Sequence, residues 1–448
     1  MSVPSTVPGV LPALTALADS ALADIDPLVP GRWATPVTWR QPVHTVYVPA
    51  HLVVGDGAPG ADLPRRWGSD ALAALDAYGH PADLARELGV AEAHADTVGE
   101  LTRAKLLREP VEDLRIDFED GFTQRGVAPD ARDADEDTRA RQAAEVLADW
   151  FGAPGGAPGD AASPAPAFAG IRFRSFDPAV RDRGLRTLAI VLEGLAERDV
   201  LRTVLEQDRR ALRLTLPKVQ HHRQVEAFVE VLRALESTLG VPELPFEVQV
   251  ETPQAILAED GAAEPARLIS AGEGRVLSLH YGTYDYSASL GVDAAAQSLE
   301  HPVADHAKDV LQVATTAVGV ELSDGSTNRI PVGTREEVLE GWRIHHHLVR
   351  RHLRRGIRQG WDLHAHQLVT RHLTTIAYFR SDWRVTADRL RAYVAGDTSR
   401  WMDEPATAKA MAGYLRRAHG CGAVTDHELA TTGLDHAQLR SLQVKGRV

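Results

Sequence analysis

Cysteine is nearly absent from this chain: Cys421 is the only one in 448 residues, which excludes an internal disulfide and any cysteine-based zinc cluster. Long apolar runs are missing as well. No stretch approaches the roughly 18 residues that a membrane-spanning helix needs. The first residues lack a basic segment followed by an apolar core, so no secretory signal is expected, and a reducing cytoplasm suits the cysteine usage. Basic residues are in deficit, with 49 Lys and Arg against 62 Asp and Glu for a net charge of −13. That balance argues against nucleic-acid binding, which needs a surface that neutralises phosphate. The one basic concentration, RIHHHLVRRHLRRGIR at 343–358, has apolar residues at helical spacing and reads as the solvated outer face of a helix.

What is present is ordinary globular composition, 44% hydrophobic and 25% charged, long enough for one large domain with extensions. The first forty residues read as an arm with a short helix near Leu11–Ala23. Strand and helix patterns then alternate. The spacing predicts strands at Val43–Ala50, Leu114–Asp120, Gly170–Ser175, Leu212–Val219, Phe246–Thr252, Val276–Tyr281, Gly319–Asp324 and Gly360–His366. Helical patterns fill the gaps, clearest at Thr138–Phe151, Val180–Arg198, Gln224–Leu239, Val303–Val318 and Arg335–Arg355, and weaker at Asp70–Ala77 and Glu264–Ala271. Eight strand–helix units are the count of a (β/α)8 TIM barrel. The Gly- and Pro-rich stretch 152–166 reads as a surface loop. From about Arg380 the pattern is helical and strandless. The expected division is an N-terminal arm (1–40), a catalytic barrel (41–379) and a helical C-terminal extension (380–448).

In a TIM barrel, chemistry sits at the C-terminal ends of the strands. Reactive side chains gather there: Asp117, Glu119 and Asp120 at the second strand, Arg172 and Arg174 at the third, Lys218 at the fourth, Glu251 at the fifth, Asp285 after the sixth, Asp324 at the seventh, and His364 and Gln367 at the eighth. Glu251 and Asp285, from neighbouring strands, suit a hard divalent ion such as Mg2+, which binds few carboxylates and keeps several waters. A 2-oxo acid bound there would place its enolate oxygen within reach of Arg172. For each residue a plainer role exists: an ion-pair network at the barrel mouth for Glu251, Asp285 and Arg172, a helix cap for Glu119 and Asp120, a counter-ion for Lys218, and a packed hydrogen-bonded side chain for His364.

The motifs also resemble a known group, the citrate lyase β-subunit-like and 2-oxo acid aldolase superfamily, with malyl-CoA lyases and malate synthases as relatives. HTVYVPA (44–50), RIDFEDG (115–121), GIRFRSF (170–176), LTLPKVQ (214–220), VQVETPQAIL (248–257), HYGTYDYSASLG (280–291) and GWDLHAHQL (360–368) are similar, in order, to that group's strand-end motifs. The resemblance implies a barrel of the pyruvate/phosphoenolpyruvate type and a cytoplasmic carbon–carbon lyase or aldolase working through a metal-bound 2-oxo acid enolate of the pyruvate, glyoxylate or oxaloacetate kind. It implies Mg2+, with Mn2+ as a substitute, on Glu251 and Asp285, and Arg172 as the enolate-stabilising arginine. Glu119 and Asp120 would hold metal-bound waters, Lys218 would support their network, and Arg174, His364 and Gln367 would face the substrate. A homo-oligomer, trimer or hexamer, is implied too. Arg174 replaces the group's asparagine, Ala365 its proline, and Asp362 or Leu363 stands where it has a lysine. An acyl-CoA lyase or condensing enzyme, with the C-terminal helices as a lid, is one alternative. A noncatalytic 2-oxo acid-binding relative is another.

Overall fold

The computed structural model describes residues 7–26, 37–152, 165–316 and 318–447. Eight strands, β1 (Thr45–Pro49), β2 (Asp113–Asp117), β3 (Phe168–Arg172), β4 (Leu212–Leu216), β5 (Phe246–Val250), β6 (Val276–Tyr281), β7 (Glu321–Ser323) and β8 (Trp361–Asp362), form one sheet. All pairings are parallel and the order is β7-β6-β5-β4-β3-β2-β1-β8. The ring closes between β7 and β8 through a single parallel bridge, Ser323 to Gln359. Asp324 N donates to Gln359 O (2.9 Å) and Trp361 N to Gly325 O (3.2 Å) at that seam. A helix follows each strand on the outside, from Leu63–Tyr78 after β1 to Gln367–Arg380 after β8. This is the (β/α)8 barrel expected from the strand–helix count, and every predicted strand overlaps an observed one, with β2 and β3 starting one and two residues earlier than predicted and β6 matching in full. Most of the others end sooner than predicted because the polar residues that close each pattern have already left the sheet for the loops at the mouth.

The pleat sends alternate residues to opposite faces. Outward go Val46, Val48, Leu114, Ile116, Ile171, Leu214, Val248 and Leu279, all buried under the helices. Inward go Tyr47, Asp113, Arg115, Asp117, Arg172, Arg213, Glu247, Gln249 and His280, also buried. Charges removed from water must be paired, and in the lumen they are. Arg115 donates to Asp113 and to both oxygens of Glu247 (3.1 and 2.6 Å). His280 Nε2 lies 3.2 Å from Glu247, and Arg213 donates to Glu321 (3.1 Å).

The predicted helices are present with boundaries moved by a few residues; that at Thr138–Phe151, for example, runs Arg132–Gly152 and that at Arg335–Arg355 runs Arg335–Arg354. The last of these carries the basic run and corrects half of its reading. Its arginines do lie outward, with Arg351 on Asp305 (2.5 Å). Among its histidines, His347 is exposed beside Glu300 (2.9 Å), but three do not lie outward: His345 bonds Thr370 and Asp362, His346 bonds Thr374, and His352 bonds Ile357 O and Arg371. His44, before β1, is likewise buried, with Nδ1 2.8 Å from Asp362. The N-terminal helix runs Val7–Leu22, and residues 12–26 are exposed throughout. The Gly- and Pro-rich stretch read as a loop falls largely on 153–164, outside the described residues.

Beyond Arg380, helices Trp383–Val394, Pro405–Gly420, Asp426–Thr431 and His436–Lys445 follow. Arg416 donates to Thr38 O and Gln443 to Val37 O (2.9 Å). These bonds fix the C-terminal helices against the segment that leads into β1, at the N-terminal end of the barrel. The expected lid is therefore not what they form in this chain: they sit at the end opposite the strand-end residues.

Candidate active site

At the C-terminal ends of the strands, carboxylate oxygens of Asp120, Glu251 and Asp285 all lie within 4.8 Å of one another. Glu251 follows β5 and is buried, whereas Asp120 and Asp285 are exposed at the mouth. The sequence paired Glu251 with Asp285; the structure brings Asp120 into the same cluster. Gly282, after β6, makes room for Glu251: a Cβ there would lie 2.3 Å from Glu251 Cγ. Lys218 closes another side. Its φ of +52° is in the left-handed region, unfavourable for a residue with a Cβ. In that conformation its backbone N–H donates to Glu251 Oε2 (3.1 Å). Its Nζ donates to Asp120 Oδ1 (2.5 Å) and lies 3.1 Å from Glu119 Oε1.

Arg172 is the buried cation of the site. Asp117, at the end of β2, holds it in a two-pronged ion pair, accepting from Nε and from one terminal nitrogen at 2.7 Å each. The other terminal nitrogen donates to Gln249 (3.3 Å) and lies 3.7 Å from Glu119 and 4.0 Å from Asp120. The guanidinium carbon is 4.8 Å from the ring centre of Tyr47. A planar fork held in this way presents its free edge in a fixed direction. The sequence places Asp117 among the polar residues closing the second strand but does not show its pairing with Arg172; Gln249 and Tyr47 were not singled out. Gln249 lies two residues before Glu251 on the same inward parity, and that alternation was the available signal.

Electrostatics separate these carboxylates. Burial raises Glu251 to about 8; Arg172 opposes the rise while Asp285 and Glu119 add to it. Burial also raises Glu119 to about 7, again opposed by Arg172 and reinforced by Asp120. Asp120, only partly desolvated, is lowered by hydrogen bonds involving Glu119 and Lys218. Two adjacent carboxylates are thus driven in opposite directions, Glu119 up and Asp120 down. Lys218 is held protonated by Asp120 and Glu119 against the cost of burial. The cluster has more negative charge than Arg172 and Lys218 satisfy. A buried carboxylate short of cation, two more converging on it and a glycine-made cradle fit a hard divalent ion.

The remaining predicted residues are placed elsewhere. Arg174 turns to Glu136 on helix Arg132–Gly152, donating at 3.1 and 2.7 Å, so its charge is spent on an ion pair. Gln367 is fully buried. It accepts from Leu363 N (2.7 Å) and donates to Thr327 O and Arg329 O (3.2 Å each), tying the loops after β7 and β8. His364 Nδ1 accepts from His366 N (3.1 Å) and lines a separate surface cavity with Trp67, Asp70 and Val332. Asp324 pairs with the buried Lys308 (3.1 Å), which accounts for it structurally.

Among solved structures, the chain is similar to Haloferax volcanii malate synthase in a magnesium/glyoxylate complex, with 13% identity, TM-score 0.48, and coverage of 91% of this chain and 99% of that one. It is also similar to CitE from Mycobacterium tuberculosis in complex with magnesium, acetoacetate and coenzyme A, at 16% identity, TM-score 0.42, covering 84% and 97%. A third is an HpcH/HpaI aldolase/citrate lyase family protein from Burkholderia cenocepacia J2315, at 14% identity, TM-score 0.34, covering 66% and 90%. No curated protein matches it in sequence. A family model does, over residues 22–446, and the chain belongs to that family, described as a domain of unknown function (DUF6986).

Proposed function

We propose that the chain is a divalent-metal-dependent carbon–carbon lyase or aldolase acting on a 2-oxo acid. The observation that carries this reading is the convergence of Asp120, Glu251 and Asp285 within 4.8 Å, beside an arginine clamped by Asp117. Asp120, Glu251 and Asp285 would hold Mg2+ or Mn2+, with open positions left for a substrate. When bound, such an ion polarises the carbonyl of a 2-oxo acid and favours charge build-up on its oxygen.

The chain's own residues supply the rest. Arg172, with its free edge fixed by Asp117 and Gln249, stabilises the enolate oxygen as the adjacent carbon–carbon bond breaks or forms. Because Asp117 neutralises part of its charge and positions it beforehand, little reorganisation accompanies the reaction. Glu119, raised to about 7, is suited to hold or release a proton near neutral pH. Lys218 keeps Asp120 ionised, and so ready as a ligand, through the bond from its Nζ. The ordered motifs at the strand ends support the same reading independently of the geometry.

The test is Glu251→Gln, assayed by calorimetric titration with Mn2+ and by turnover over a panel of 2-oxo acids and their aldol adducts. Loss of metal binding together with turnover is expected. Full turnover by this variant in a metal-free buffer would sink the proposal.

A further inference from the structure

At the opposite end of the barrel lies a cavity of about 500 Å³, enclosed between the segment leading into β1 and the C-terminal helices. Its wall holds Arg358, Arg416, Arg417, Arg440, His419 and His436, with Phe379 and Val43 as an apolar floor. Arg40 also lines it but is neutralised: Arg40 and Lys105 share Glu109 and Glu112 in a buried four-membered network. Asp426 is held by His419 at 2.7 Å.

The other four arginines are different. Among the described residues, no carboxylate lies within ion-pair distance of Arg358, Arg416, Arg417 or Arg440. Arg358 donates to a single carbonyl, Leu353 O (3.0 Å). Arg416 donates to Gln443 and to Thr38 O. Arg417 is half-buried, and its buried Nε has no hydrogen-bond partner. Burial, followed by Arg358 and Arg416 nearby, pushes its guanidinium down to about 9. Unpaired guanidinium groups gathered around one void are costly in the empty protein. Among the described residues, the other buried and half-buried arginines are ion-paired, as Arg86 is with Asp83, Glu92 and Asp96.

We propose that this cavity is a second ligand site, for a small polyanion whose phosphate or carboxylate groups are gripped by the four arginines. Guanidinium forks match the oxygens of either group, and the volume is that of a metabolite-sized pocket. The apolar floor would take the ligand's carbon skeleton. Trp39, which also lines the cavity, donates to Glu321 in the barrel lumen (2.6 Å), so the site abuts the polar interior without sharing residues with the carboxylate cluster. The inference is independent of the activity proposed above.

The test uses the full chain in buffer freed of metal by chelating resin, which leaves the other end of the barrel unloaded. Pyrophosphate and citrate are titrated separately by calorimetry, and thermal unfolding is followed at each concentration. Saturable one-to-one binding of either probe, weakened by added salt, is expected, and which probe binds tells phosphate from carboxylate. Arg417→Gln and Arg440→Gln should each weaken binding about tenfold, as loss of a charged hydrogen bond does, while Glu251→Gln leaves it unchanged. Without probe, Arg417→Gln should raise the melting temperature by removing an unpaired cation; with saturating probe the order should reverse. Failure of both probes to bind at millimolar concentration, binding by both arginine variants as tight as the parent's, or a lower melting temperature for probe-free Arg417→Gln would each overturn the proposal.

Discussion

Glu247 and Glu251 come from the same stretch of chain, four residues apart, and both are buried on the inward face around β5. Their surroundings drive them in opposite directions. Glu247 sits beside Arg115 and His280, which hold it well below the usual carboxylate range although burial works the other way. Glu251, one layer higher, has Arg172 as its buried cation, but Arg172 is already claimed by Asp117, and burial lifts Glu251 to about 8. The lower layer is satisfied and stabilises the barrel. The upper layer is left short of positive charge, and the difference marks which glutamate is available for chemistry.

The contrast predicts opposite outcomes for similar substitutions. Glu251→Gln is expected to lower turnover about 10³-fold or more, the several kcal/mol that a metal ligand can contribute. The same variant should unfold within about 1 kcal/mol of the parent when metal-free, since Gln can still accept from Lys218 N. Glu247→Ala should do the reverse, with a loss of about 3–5 kcal/mol in stability because Arg115 loses a partner inside the barrel. Denaturant titration of both variants checks the pair; similar stabilities would erase the distinction between the layers. Next in size, Arg172→Lys cannot keep the two-pronged bond to Asp117 and should cost about 10²- to 10³-fold in kcat. Steady-state kinetics on the substrate found for the parent would read it, and an unchanged kcat would remove Arg172 from the proposed role.

The smallest effect is that of pH. Glu119 and Glu251 have folded values of about 7 and about 8, above the ordinary carboxylate value. At these two carboxylates the metal-free folded chain therefore binds more protons than the unfolded chain, whereas His346, His352 and His372, pushed down by burial to about 4, 3 and 3, bind fewer below about pH 6.5. Between about pH 6.5 and 8, where those histidines are neutral in both states, stability should fall as pH rises. Metal binding, which requires the ionised carboxylates, should strengthen over the same range. Melting curves from pH 5 to 8 with and without Mn2+ test this. If the fall is as steep in Glu251→Gln as in the parent, its origin lies elsewhere.

Much of this was legible in the sequence because local pattern carries it. Alternating strands and helices set the barrel, and acidic residues at successive strand ends placed Glu251 and Asp285 together. What could not be read depends on partners distant in sequence. Arg174 looks like a substrate cation until Glu136, on the preceding helix, is seen to take its charge. Gln367 looks like a ligand contact because its motif is polar, yet both ends of its amide are used on loop backbone. The direction in which the C-terminal helices fold back was equally hidden. It is fixed by bonds such as Arg416 to Thr38 O, across 378 residues, and no helical periodicity encodes which end of a barrel a helix will cover. The opposite shifts of Glu119 and Asp120 depend on the position of Lys218 as well, and that follows from a backbone conformation rather than from a motif.

The seam between β7 and β8 has a consequence in time. Where other neighbouring strands share a ladder, these two are joined by one bridge, helped by Gln41 below and Gln367 above. A ring is as slow to open as its weakest joint allows. The amide hydrogens of Asp324 and Trp361 should therefore exchange with solvent earlier than those in β2 to β5, and Gln367→Ala should hasten them further. Read as a clasp rather than a wall, this joint sets how often the mouth of the barrel loosens around whatever it has bound.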